Sequence, residues 1–97
     1  MPTYITLATL TDQGVRTMKD LPQRIENAEK TFNQMGAQLR DIYLVMGVYD
    51  YVVVADAPDE TTMARIALAV AGQGNVRTQT FRAFERSEMF ALVEDLP

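Results

Sequence analysis

The chain of 97 residues contains no cysteine and no histidine. The first absence excludes disulfides, thiolate nucleophiles and zinc ribbons. The second removes Ser-His-Asp triads and imidazole-ligated metals, which leaves acid–base work to Asp, Glu, Tyr, Lys and Arg. No apolar run approaches the ~20 residues that a membrane-spanning helix needs. The opening Met1-Pro2-Thr3-Tyr4-Ile5 lacks the basic segment of a signal peptide and leads straight into strand-like sequence. A cytoplasmic protein without membrane contact is the expectation. Positive charge is also scarce, with 9 Lys and Arg against 13 Asp and Glu, for a net charge of −4. Nucleic-acid binders usually display a basic stripe. Here Arg16, Lys19, Arg24 and Lys30 alternate with Asp20, Glu26 and Glu29, as on a solvated helix face. Only Arg77, Arg82 and Arg86 form a cationic group undiluted by acids, so no nucleic-acid partner is expected.

What is present is sharply patterned. The length predicts a single domain over residues 1–97, with a modest core that a partner subunit would help to complete. Tyr4–Leu10 is rich in β-branched residues at a loose period of two and predicts the first strand. Thr11-Asp12-Gln13-Gly14 reads as a turn with Gly14 at positive φ, followed by one helical turn over Val15–Lys19. The first long helix is expected to start between Asp20 and Pro22, since proline suits a first turn and Asp20 with Gln23 has capping-box spacing. Leu21, Ile25, Ala28, Phe32 and Met35 form its apolar stripe, and Gly36 its left-handed cap.

The sharpest stretch is 41–55. Two apolar β-rich runs, about Gln38–Met46 and Asp50–Asp56, flank Gly47-Val48-Tyr49-Asp50 and predict an antiparallel hairpin with Gly47 at positive φ. Asp59 caps a second long helix that buries Met63, Ile66, Ala67 and Val70, and Gly72 to Asn75, with Gly74 as a turn residue, ends it. Val76–Phe84 is the fourth strand, and Ser87 is expected to cap a final helix bearing Met89, Phe90, Leu92, Val93 and Leu96. The order is βαββαβ plus a tail helix. That is the ferredoxin-like α+β topology, a four-stranded antiparallel sheet with both helices on one face. The other face, expected to present Tyr4, Thr6, Thr78 and Thr80 with Tyr43 or Tyr51, invites a second sheet and hence a homodimer.

Gly47-Val48-Tyr49-Asp50, followed by Tyr51 to Val54, Ala57-Pro58-Asp59 and Gly74 to Thr78, resembles the GYD family of small dimeric α+β barrel proteins. The likeness spans nearly the whole chain. The same Gly-x-Tyr-Asp hairpin is similar to the effector-binding domain of feast/famine (AsnC-type) regulators, although the helix-turn-helix of those regulators has no counterpart here. That resemblance implies a homo-oligomer and a small ligand.

Among the residues themselves, Tyr49, Asp50, Tyr51 and Arg77 are the candidate ligand contacts. A carboxylate at the mouth of an apolar hairpin can receive a ligand's ammonium, and Arg77 or Arg82 can grip a carboxylate with two hydrogen bonds. The structural alternative is that Asp50 ties down backbone amides with Tyr49 packed over it. Gly36, Gly47 and Gly74 are conformational. Gly72-x-Gly74 follows a helix and precedes a strand, the reverse of a phosphate loop. Glu26 with Glu29, and Asp56 with Asp59 and Glu60, fit a solvated face and a helix cap better than a cation site. No metal or cofactor is expected, and no catalytic set stands out. The expected function is a homo-oligomeric small-ligand binding or sensing module. The alternatives are a cofactor-independent enzyme of the monooxygenase or isomerase kind, or a structural interaction subunit.

Overall fold

The computed structural model describes residues 1–97. Strand β1 (Thr3–Leu10) is followed by a short helix α1 (Asp12–Arg16), a 3-10 turn (Met18–Asp20) and helix α2 (Leu21–Gln34). The hairpin β2 (Gln38–Leu44) and β3 (Tyr51–Asp56) comes next, then α3 (Glu60–Ala71), β4 (Val76–Ala83) and α4 (Arg86–Glu94). The strands form one sheet in the order β2-β3-β1-β4, with every neighbouring pair antiparallel. This is the ferredoxin-like arrangement expected from the element order.

Register decides which side chains meet the helices. Tyr4 lies opposite Ala55, Thr6 opposite Val53 and Ala8 opposite Tyr51. Tyr4 and Ala55 belong to the buried core with Phe32 of α2 and Met63 and Ile66 of α3. The even-numbered residues of β1 therefore face the helices, and successive strand residues alternate sides. Thr6 bonds Thr80 across the same side at 2.8 Å, and Thr78 lies opposite Ala8. The expectation that Tyr4, Thr6, Thr78 and Thr80 line the open face is thus reversed. Of the residues named for that face, only Tyr43 is there. The open face is formed instead by Ile5, Leu7, Tyr43, Val52, Val54 and Phe81.

Local chemistry accounts for the element ends, sometimes by other means than expected. Thr11 accepts from the Gly14 N–H at 3.1 Å and caps α1, so 11–14 opens a helix rather than a free turn. Gly14 is not at positive φ; it is buried, and a Cβ there would stand 2.2 Å from the Asn75 carbonyl oxygen. Close backbone approach is what requires glycine. Asp20 makes no side-chain cap, because it already lies in the 3-10 turn, its N–H donating to Thr17 O. Pro22 sits in the first turn of α2, and Gly36 follows at φ 72°. Asp59 caps α3 as expected, accepting from the Thr62 N–H at 2.8 Å. At α4 the start lies two residues earlier than Ser87 implied: Glu85 is the cap residue, and its N–H donates to Glu88 Oε1 at 3.1 Å.

Helix α4 stands apart from the body. None of its residues is buried, and Met89, Phe90, Leu92 and Val93 are all at least half exposed. The chain measures 52 × 31 × 17 Å, and its radius of gyration of 14.6 Å exceeds the roughly 12.5 Å of a rounded domain this size.

Candidate functional site

Two surfaces carry the chemistry, one on each side of the sheet. On the open side, Ile5 and Leu7 of the central strand lie beside Val54 and Val52 of β3. Tyr43 and Phe81 extend this apolar patch to the two edge strands, 53% and 49% exposed respectively.

Polar contacts frame it at both ends. At one end Arg40, on the β2 bulge between Leu39 and Asp41, reaches across the sheet. Its guanidinium lies 3.3 Å from Asp56 Oδ1 and 2.8 Å from Glu85 Oε1. Thr3 Oγ1 donates to the same Asp56 oxygen at 2.9 Å. Glu85, Asp56 and their hydrogen bonds hold the Arg40 pKa above its ordinary value. This cluster ties β1, β2 and β3 to the root of α4. Beside it Arg82 donates to Glu88 Oε2 at 3.1 Å and stacks over Phe84 at 4.4 Å from the ring centroid. The Glu85 N–H and Arg82 together hold the Glu88 carboxyl below the usual range.

The Gly47-Val48-Tyr49-Asp50 loop forms the other end. Strand pairing stops at Leu44 and Tyr51, with Val45 N–H donating to Asp50 O at 2.8 Å, so the connection is longer than a tight two-residue turn. Gly47 has φ 138° as expected. Asp50 faces β1: its N–H donates to Ala8 O at 2.9 Å, and its Oδ2 accepts from the Leu10 N–H at 2.7 Å. The Tyr49 hydroxyl donates to Gln79 Oε1 at 3.0 Å, so this side chain straps across β1 to β4 on the open face. Arg77, opposite Thr9, shares that face and is exposed.

Tyr51 points the other way, buried on the helix side with its hydroxyl toward Met18 Sδ at 3.7 Å. It lines a partly open pocket of about 110 Å³ between the sheet, α2 and α3. Tyr49, Asp50 and Arg77 do not line it. The four candidate contacts are therefore divided between the two sides of the sheet. The pocket was not legible in the sequence beforehand, although its small facing residues, Ala8, Ala28 and Ala67, come from three elements already assigned.

The model of the GYD domain matches residues 4–93. The chain belongs to the GYD family. A relative from Thermus thermophilus, 38% identical over 92 residues covering 94% of this chain and 97% of that one, is named glutamine synthetase and cystathionine beta-lyase binding protein. Among solved structures, the Mycobacterium tuberculosis leucine response regulatory protein superposes with a TM-score of 0.65 at 19% identity, over 87% of this GYD domain and 51% of that chain. The feast or famine regulatory protein of the same organism, complexed with L-methionine, gives 0.66 at 19% identity over 88% and 51%. The GYD domain thus spans about half the length of these regulators. A solved protein from Thermus thermophilus matches over 89% of this chain and all of its own length, with a TM-score of 0.54 at 22% identity. At these identities what is shared is the ferredoxin-like fold.

Proposed function

We propose that this GYD domain is a homo-oligomeric binding and sensing module whose basic unit is a dimer paired through the open sheet faces. The uncovered patch of Ile5, Leu7, Tyr43, Val52, Val54 and Phe81 carries the reading. Removing apolar surface from water contributes about 25 cal/mol per Å², and sheets pack face to face when their inner faces are apolar. Tyr49 and Arg77 lie on the same face and become contacts at the pairing surface. Asp50 holds the loop that presents Tyr49. Helix α4 fits the same assembly, since its apolar residues have no cover within their own chain.

The relative named for binding two enzymes supports a protein partner of that class, a metabolic enzyme, for the assembled dimer. A net charge of −4 favours such a partner over nucleic acid. No helix is long and apolar enough to cross a membrane, and a cytoplasmic setting belongs to the same reading.

The test is light scattering on a sizing column, followed by surface binding to purified glutamine synthetase and cystathionine beta-lyase. Wild type should elute at twice the chain mass or a multiple of it, and retain at least one enzyme. Phe81→Arg, at a position half exposed in the single chain, should keep its circular dichroism spectrum, run as a monomer and lose the enzyme. A monomeric wild type would overturn the assembly. A dimer that ignores both enzymes would remove the partner class.

A further inference from the structure

The helix-side pocket has a composition and charge distribution that point to a ligand class. Fourteen of its 19 lining residues are hydrophobic. It exists because Ala8, Ala28 and Ala67 meet where larger side chains would close the space between two helices and the sheet. An apolar cavity of about 150 Å³ accepts benzene, so about 110 Å³ suits a hydrocarbon portion of roughly four or five carbons.

Thr6 and Thr78 are the polar residues along the sheet wall, and the three longer polar side chains gather at one end. Register places Phe32, Met63 and Ile66 toward the Tyr4–Ala55 end of the sheet, with the core. Arg24, Gln73 and Asn75 gather at the opposite end, where β1 finishes beside Val76. Arg24 is held there by neutral oxygens only. Its Nη1 donates to Thr17 Oγ1 at 2.8 Å and lies 3.4 Å from Gly14 O. It belongs to none of the four ion pairs of the chain. No Asp or Glu lines the pocket. A half-buried cation without an anion, at the mouth of an apolar pocket, matches a carboxylate. The same lining offers an ammonium group only neutral hydroxyl and amide oxygens, and no carboxylate.

We propose that the pocket between α2, α3 and the sheet binds a short apolar monocarboxylate, its hydrocarbon part against Phe32, Met63 and Ile66 and its carboxylate at Arg24. The inference rests on the sensing-module reading for its biological meaning, but not for its geometry, which is complete within one chain. The ligand is an unsubstituted or keto acid rather than an amino acid, because an α-ammonium would meet the like charge of Arg24 with no carboxylate in the lining to offset it.

The probes are isovalerate and hexanoate, each compared with the matching amine and with leucine, followed by calorimetry and by methyl-region NMR of Met63 and Ile66. The acids should bind saturably and shift those methyl signals, while the amines and leucine should bind at least tenfold more weakly. Ala67→Leu, which fills the pocket, should abolish acid binding while leaving dimer mass and enzyme retention unchanged. Arg24→Gln should erase the preference for acids over amines. It disturbs the Thr17 contact as well, so Ala28→Leu serves as the second filling variant. Absence of acid binding by wild type, or acid binding unaltered in both filled variants, would overturn the proposal. Either result leaves the dimer and enzyme measurements standing on their own.

Discussion

The carboxylate of Asp50 accepts the backbone N–H of Leu10 at 2.7 Å, across forty residues of chain. Leu10 ends the central strand and Asp50 precedes β3, so one side chain closes a ladder that the backbone leaves unfinished. Buried or half-buried N–H groups need such partners. Asp50→Ala should cost about 1–3 kcal/mol by stranding that donor. For a domain of this size, each kcal/mol lowers the thermal midpoint by roughly 4–8 °C. Asp50→Asn, whose amide oxygen can still accept, should lose less. Urea unfolding of both variants checks the order, and equal stability of all three proteins would refute it.

Glycine serves two different purposes here, and alanine substitutions separate them. Gly47 has φ 138° with nothing within 4 Å of the position a Cβ would take. Its replacement meets only backbone strain and should cost about 1 kcal/mol or somewhat more. Gly14 has ordinary backbone geometry, but its Cβ would meet Asn75 O at 2.2 Å. Gly14→Ala should therefore be the more damaging of the two, parting α1 from the α3–β4 loop. Hydrogen exchange at the Thr11 N–H, which donates to Asn75 O, should quicken in Gly14→Ala and not in Gly47→Ala.

Removing α4 tests where its apolar side chains belong. Met89, Phe90, Leu92, Val93 and Leu96 are all at least half exposed in the single chain, whereas full burial of such side chains contributes about 1.5–3 kcal/mol each. A chain ending at Arg86 should keep its secondary structure and dissociate at higher concentration than wild type. Sedimentation velocity over a dilution series measures this, and an unchanged dimer constant would place α4 outside the assembly.

Acid should weaken the fold through two helix starts. The Asp59 carboxyl is held below the usual range, mainly by the Thr62 N–H, and the Glu88 carboxyl by the Glu85 N–H and then Arg82. A carboxyl whose folded pKa is depressed binds protons more readily when unfolded, so its stabilisation is present above the unfolded pKa. It is lost as pH falls from the ordinary carboxylate range through the lower folded value. Asp59→Asn can still cap α3 but no longer titrates. Its stability should therefore fall less steeply than wild type on acidification, as read from urea midpoints across the acid range.

Much of this protein follows from the order of its residues alone. The stripe of Leu21, Ile25, Ala28, Phe32 and Met35 implies a helix with one apolar side, and Asp59 marks where α3 begins, because both signals are local. Gly47 announces its positive φ for the same reason. Tertiary structure decided the rest. A period of two divides a strand into two sets of side chains without saying which set meets the helices, and a shift of one residue exchanges them. Burial of Tyr4 and Ala55 in one core with Phe32, Met63 and Ile66 made that choice, and so placed Tyr51 in the pocket and Tyr49 and Arg77 on the opposite face. The pocket itself arises where alanines from β1, α2 and α3 converge, and the Asp50–Leu10 bond joins positions that only the folded sheet brings together. Both depend on contacts distant in sequence, which no local pattern records.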